Sequence, residues 1–337
     1  MIGQLKSKAL LFAGITLILC NNIYCEEVTV GSYSEDVDYM MEKMERIHPN
    51  LYHNTSKEEV AELVSTIKAD NYESVDEFYA ALKVIFDTLD DSHTEIFPVT
   101  KSIKAPGNNT VRENKFHIVD GIGFLTIDTF DGNKEEFTEF INFSMARLNE
   151  EKVENLVIDM RGNTGGMAEL GEYLIEAIWP GQYRQNGEFR YRITEEIITY
   201  MNSNGWMSDQ DAADLLENEG SFFLMKDGPE YRKHLEEPLY NGRTYLLIGP
   251  VTFSSGVIFS AIYKDYNIGM ILGKETGGLA SDYTCSYHFE LPFSKLKASV
   301  SWQYLARPNG EDTGMGVLPD IDTDSPLHSV IALIQKN

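Results

Sequence analysis

From Gly123 onward, short apolar runs alternate with helix-like stretches. Gly123-Phe124-Leu125-Thr126-Ile127, Leu156-Val157-Ile158-Asp159-Met160, Tyr245-Leu246-Leu247-Ile248 and Met270-Ile271-Leu272 read as buried strands. Between them Glu135 to Leu148 and Ser254 to Tyr263 read as helices. Such alternation implies an α/β core, because each helix must lay its apolar face on a neighbouring sheet. Residues 285–304 alternate enough for two more strands, and Pro326 to Ile334 reads as a terminal helix. Gly187–Tyr200 reads as a hairpin arm and Asp209–Glu217 as a helix.

Residues 34–92 follow a different rule. Asp38, Met41, Met44, Glu45 and Ile47 keep helical register until His48-Pro49-Asn50 breaks it. Ser56 followed by Glu59, and Ser74 followed by Glu77, are capping-box patterns that open two further helices. The third carries Phe78, Leu82, Ile85, Phe86 and Leu89 on one face. The expected organisation is a signal peptide over residues 1–25, a helical domain over 26–98, a polar linker or loop over 99–115 and an α/β core over 116–337.

The first 25 residues carry Lys6 and Lys8, then an apolar run from Ala9 to Leu19, then a polar stretch with Cys20 and Cys25. This is the layout of a secretory signal, and the apolar run is short for a membrane span. Export is therefore expected, periplasmic or extracellular, with no stable membrane span; a lipid anchor on Cys20 is the alternative. Only Cys285 then remains, so no internal disulfide is expected. The chain has 53 acidic and 28 basic side chains, a net charge of −25 that becomes −27 once the two lysines leave. That charge argues against nucleic-acid partners and anionic surfaces. With 42% hydrophobic residues the chain is nonetheless a packed globule.

Three segments can carry chemistry. Asp91-Ser92-His93-Thr94 places a histidine at a helix exit, ready either to titrate near neutrality or to cap the helix. Asp159-Met160-Arg161-Gly162-Asn163-Thr164-Gly165-Gly166 follows a buried strand. Its glycines free backbone N–H groups to face an oxyanion, or simply form a strand-to-helix turn. Arg161 reads as an anchor for that loop. Val251-Thr252-Phe253-Ser254-Ser255-Gly256 sets Ser254 at a helix start, as a nucleophile or as a cap. The remaining histidines show no metal-ligand spacing, and no metal or other cofactor is expected.

Taken in order, these segments resemble the tail-specific (C-terminal-processing) and tricorn-core serine peptidases. Ile47 to Tyr52, Ile122 to Leu125, the Asp159–Gly166 block, Thr252 to Asp265 with Gly273 to Gly278, and Gly316 to Ile321 all match family blocks. The resemblance implies a ClpP/crotonase-like core. It also implies Ser254 as nucleophile, His93 as base, Ser92 orienting the imidazole, and Glu311 or Asp312 holding Ser92. Backbone N–H groups of Ser255 and of Gly165 or Gly166 would form the oxyanion hole. The lysine of the tail-specific branch falls on Leu279, so the tricorn-like branch fits better. The 17 residues between Pro98 and Phe116 leave no room for a PDZ domain. The implied partner is a polypeptide substrate. The rival reading is a non-catalytic peptide-binding relative. Acyl-CoA chemistry on the same core is disfavoured by the anionic charge.

Overall fold

The computed structural model describes residues 32–98, 113–228 and 230–336. The expected signal segment, with Cys20 and Cys25, and most of the expected linker lie outside them.

Three helices come first: α1 (Tyr33–Ile47), α2 (Lys57–Ala69) and α3 (Val75–Leu89). Ser32, Ser56 and Ser74 each accept the backbone N–H three residues on, which satisfies a donor orphaned at each helix start. The buried stripe of α1 is Val37, Met40, Met44 and Ile47, so Asp38 and Glu45 lie off the core face. Asp90 ends α3 in the left-handed region, at φ 49°. That reversal sends the chain through Asp91-Ser92-His93 into β1 (Glu95–Phe97).

The α/β part is a six-stranded sheet built from β2 (Lys115–Val119), β3 (Ile122–Thr126), β4 (Asn155–Asp159), β7 (Arg243–Ile248), β8 (Met270–Gly273) and β11 (Ile321–Asp322). All neighbours pair in parallel except β2 and β3, a hairpin closed by Asp120-Gly121 with both residues at positive φ. Helices α4 (Lys134–Glu150), α5 (Ala168–Ile178) and α8 (Ser255–Asp265) cover one face through Leu125, Leu156, Ile158, Leu246, Ile248 and Ile271. Helix α9 (Pro326–Ile334) covers the other through Val157, Tyr245, Leu247 and Leu272. Burial on both faces is why these strands read as continuous apolar runs.

The second sheet is antiparallel. β10 (Lys297–Ala306) pairs along one edge with β9 (Asp282–Glu290). Its other edge is shared by β1 and β5 (Glu188–Arg192), and β6 (Phe222–Lys226) lies beyond β5. The expected hairpin over 187–200 is instead strand β5 followed by helix α6 (Glu195–Ser203). Thr194 caps that helix by accepting the Ile197 N–H, and the partner of β5 comes from 30 residues later. Helix α7 (Asp209–Leu216) falls where a helix was expected. Helices α1 to α3 share one core with this sheet, joining Val37, Met44, Phe78 and Leu82 to Phe289, Leu296, Val300 and Trp302. Among the described residues no helix is long and apolar enough to cross a membrane.

Candidate active site

Loops at the carboxyl ends of β4 and β7 meet, which is where open α/β sheets form their crevices. After β4, Asp159 takes Arg161 in a two-pronged ion pair, with Nε and one terminal nitrogen at 2.8 and 2.6 Å from its oxygens. Arg161 is thus spent on its own loop. Asn163 is fully buried and links three segments. Its amide donates to Ile127 O at 3.0 Å, its Oδ1 accepts the Gly165 N–H at 2.8 Å, and its carbonyl accepts the Phe253 N–H at 2.9 Å. Thr252, also buried, donates from its hydroxyl to Met160 O at 2.9 Å. The two loops are therefore bolted together by polar groups that have no water to bond instead.

Ser254 sits at that junction with φ 52° and ψ −126°, a backbone conformation that a side chain disfavours. Its hydroxyl makes no capping bond to α8. The capping use of this serine is thereby set aside, and Oγ stands clear at the helix start. Gly165, at φ 104°, packs against it so closely that a Cβ there would lie 2.6 Å from the Ser254 Cβ. Gly166, at φ 129°, passes so near the Phe130 and Asp131 backbone that its own Cβ would meet Phe130 C at 2.4 Å. Since Asn163 already takes the Gly165 N–H, Gly166 and Ser255 supply the backbone donors left for a ligand. Of the two glycines named as oxyanion donors, Gly165 is spoken for.

His93 arrives from the other sheet. Its ring lies over Phe253, with centroids 5.8 Å apart and planes 21° from parallel, beside the residue before Ser254. No hydrogen bond joins His93 to Ser254 Oγ in this state. Apo contacts of this kind commonly tighten only when substrate binds. His93 Nδ1 lies 3.1 Å from Ser92 Oγ, and Ser92 Oγ lies 3.3 Å from Asp282 Oδ2. An ionised Asp282 accepts the Ser92 proton, so Ser92 accepts Nδ1–H and leaves the Nε2 lone pair free. Burial holds His93 below its ordinary pKa, against the charge of Asp91 and the Tyr283 backbone. Burial pushes Asp282 up to about 7, helped by the charges of Asp91 and Asp312.

Asp282 takes the place expected for Glu311 or Asp312. Asp312 accepts Tyr304 Oη at 2.7 Å and the Gly314 N–H at 3.2 Å, and Glu311 accepts the Asn309 amide at 3.2 Å. Neither carboxylate bonds Ser92. Asp282 stands at the start of β9, 190 residues from Ser92, and no spacing in the sequence marks it.

Behind His93 lies a second cluster. His48, His53 and Asp91 bring ligating atoms within 4.8 Å of one another, a grouping that spacing alone did not suggest. The Asn50 N–H donates to His48 Nδ1 at 2.9 Å, so the ring proton sits on Nε2, 2.6 Å from Asp91 Oδ2. A cation would have to expel that proton. The donor set therefore fits a hydrogen-bonded pair better than an ion cage.

Against known proteins, the model of Peptidase family S41 matches residues 121–323. No curated protein matches the chain by sequence. Among solved structures, a candidate peptidase from Parabacteroides merdae superposes with a TM-score of 0.67 at 13% identity, covering 90% of this chain and 96% of its own. A lipoprotein from Streptococcus agalactiae gives 0.54 at 14% identity, over 94% and 99% of the two chains. The photosystem II D1 C-terminal processing protease gives 0.52 at 14% identity, over 89% and 94%. At these identities the likeness is one of fold.

Proposed function

The chain belongs to peptidase family S41, and from that premise we propose that it is an exported serine endopeptidase with Ser254 as nucleophile. The family makes it a peptidase-type hydrolase with a polypeptide as its substrate class. The observation that carries the rest is Ser254 itself: a strained, uncapped serine at a helix start, packed on a glycine loop with two backbone donors unspent. Strain at a non-glycine residue persists only where its surroundings enforce it, and it gathers at working sites.

Ser254 Oγ attacks the peptide carbonyl while His93 Nε2 takes its proton and later returns it to the leaving amine. The carbonyl oxygen, now negative, is received by the Ser255 and Gly166 N–H groups and by the positive end of α8. Ser92 and Asp282 hold the imidazole in the tautomer with Nε2 bare and stabilise it once charged. Export rests on the basic and apolar pattern before residue 26.

A fluorophosphonate probe tests this reading. Labelling that Ser254→Ala abolishes and His93→Ala slows is the expected result. A wild-type protein that never labels, or a Ser254→Ala variant that labels normally, would return the chain to the non-catalytic peptide-binding reading.

A further inference from the structure

The His48-Pro49-Asn50 break after α1 has no part in the scheme above, yet its histidine is among the most deeply buried polar groups in the chain. His48 Nε2 donates to Asp91 Oδ2, and both side chains are shut off from solvent. The other oxygen of Asp91 accepts the His93 main-chain N–H at 2.8 Å and the Ser301 hydroxyl, also at 2.8 Å. On its far side the His93 carbonyl accepts Ser286 and Ser299 hydroxyls at 2.9 and 3.2 Å. The Tyr283 ring packs on His48 and His53, at 4.7 and 4.3 Å between centroids.

We infer that the His48–Asp91 pair is a positioning device: it clamps the main chain of His93 and so sets where that imidazole meets Ser254, without touching the reacting atoms. This rests on the reading of His93 as the base. The pair is asymmetric by construction. Asn50 fixes the His48 tautomer, so Nε2 carries the proton that one Asp91 oxygen accepts. The remaining oxygen is thereby committed to the catalytic loop. A carboxylate in this role is held low, at about 2: the cost of burial is overcome by the hydrogen bonds from His48, the His93 N–H and the Ser301 hydroxyl. It is therefore ionised across the working range and adds a fixed negative charge behind the site. Around His93 stand Ser92, Asp91, Asp282, the Tyr283 backbone and the Phe253 ring. Around His48 stand Asp91, His53, Arg192 and the Tyr283 ring.

The test is a pair of substitutions in the full chain. Asp91→Asn sets an amide donor against either His48 Nε2–H or the His93 N–H. A loss in kcat of about 10- to 100-fold with KM little changed is expected, the scale of a small misplacement of a catalytic group. His48→Gln keeps a neutral donor toward Asp91 and should lose less than about tenfold, whereas His48→Leu should fall with Asp91→Asn. Imidazole nitrogen NMR gives a readout independent of turnover: the His93 titration midpoint should move to lower pH in Asp91→Asn, because a negative charge that favours the imidazolium is gone. An unmoved His93 midpoint, or equal losses in His48→Gln and His48→Leu, overturns the inference. If Asp91→Asn does not fold, the two His48 variants decide alone. Failure of Ser254 labelling in the wild type would instead strike the function proposed above, and the clamp would then be judged by whether His48→Leu perturbs the His93 imidazole resonances more than His48→Gln does.

Discussion

At residue scale, the mechanism proposed above makes Asp282, behind Ser92 and His93, the group that sets the pH response. Asp282 is pushed to about 7 while His93 is held below its ordinary value, so Asp282 is the group that ionises at the higher pH. Above that point Ser92 donates to Asp282 and His93 keeps Nε2 bare. Below it, a protonated Asp282 can donate to Ser92, which turns the relay round. Activity should therefore rise through roughly pH 7 and be lost as pH falls through it. Asp282→Asn should lower activity and leave only the His93 limb, at lower pH. Asp312→Asn, which removes a charge that raises Asp282, should move the wild-type limb down. Rate measurements from pH 5 to 9 decide; an unchanged limb in Asp282→Asn would return attention to Glu311 and Asp312. Ser254 supplies a second check. Ser254→Gly relieves the positive φ and should be more stable than Ser254→Ala by about 1 kcal/mol in denaturant titration. Ser254, His93 and the glycine pair drew notice in the sequence because each stands in a compact block, and the fold brings those blocks to one junction. Asp282 did not: it is one acid among 53, and the pairing of both β9 and β1 with β10 carries it to Ser92.

At the scale of elements, the strand-turn-helix units were legible because burial on both faces leaves uninterrupted apolar runs. The second sheet was harder to read. β5 is half-buried along most of its length, β6 alternates exposed with half-buried positions, and their pairing spans α6 and α7, so residues 187–200 mimic a hairpin. What joins the loops after β4 and β7 is smaller still: the amide of Asn163 and the hydroxyl of Thr252. Asn163→Ala orphans the Gly165 N–H and the Ile127 carbonyl in a dry interior. A loss of about 1–3 kcal/mol per stranded group is expected, read as a fall in Tm. Gly166→Ala meets backbone that cannot move aside and misplaces the N–H proposed above as an oxyanion donor. Probe labelling should slow on the order of 10²-fold or more. Labelling at the wild-type rate would remove Gly166 from the oxyanion site.

For the whole molecule, the excess of acid over base is a field rather than a set of contacts. Cleavage of lysine-rich unfolded peptides should exceed that of glutamate-rich ones at low salt, and the gap should close as salt approaches 1 M, where charges are screened within about 3 Å. A preference that ignores salt would assign selectivity to local pockets alone. Helices α1 to α3 and the antiparallel sheet share a core, so His93 and Asp282 stand on one packed unit and Ser254 on the other.

That division has a kinetic consequence. β1, which begins two residues after His93, is held by three residue pairs to β10, and the bonds securing His93 span 193 and 206 residues. Contacts so distant close late, after nearer pairings have shortened the loop between them. The parallel strands from β3 to β8 can assemble around Ser254 while His93 is still adrift. In refolding, recovery of secondary structure should precede recovery of turnover, so a half-folded chain is a poor cutter of its unfolded neighbours.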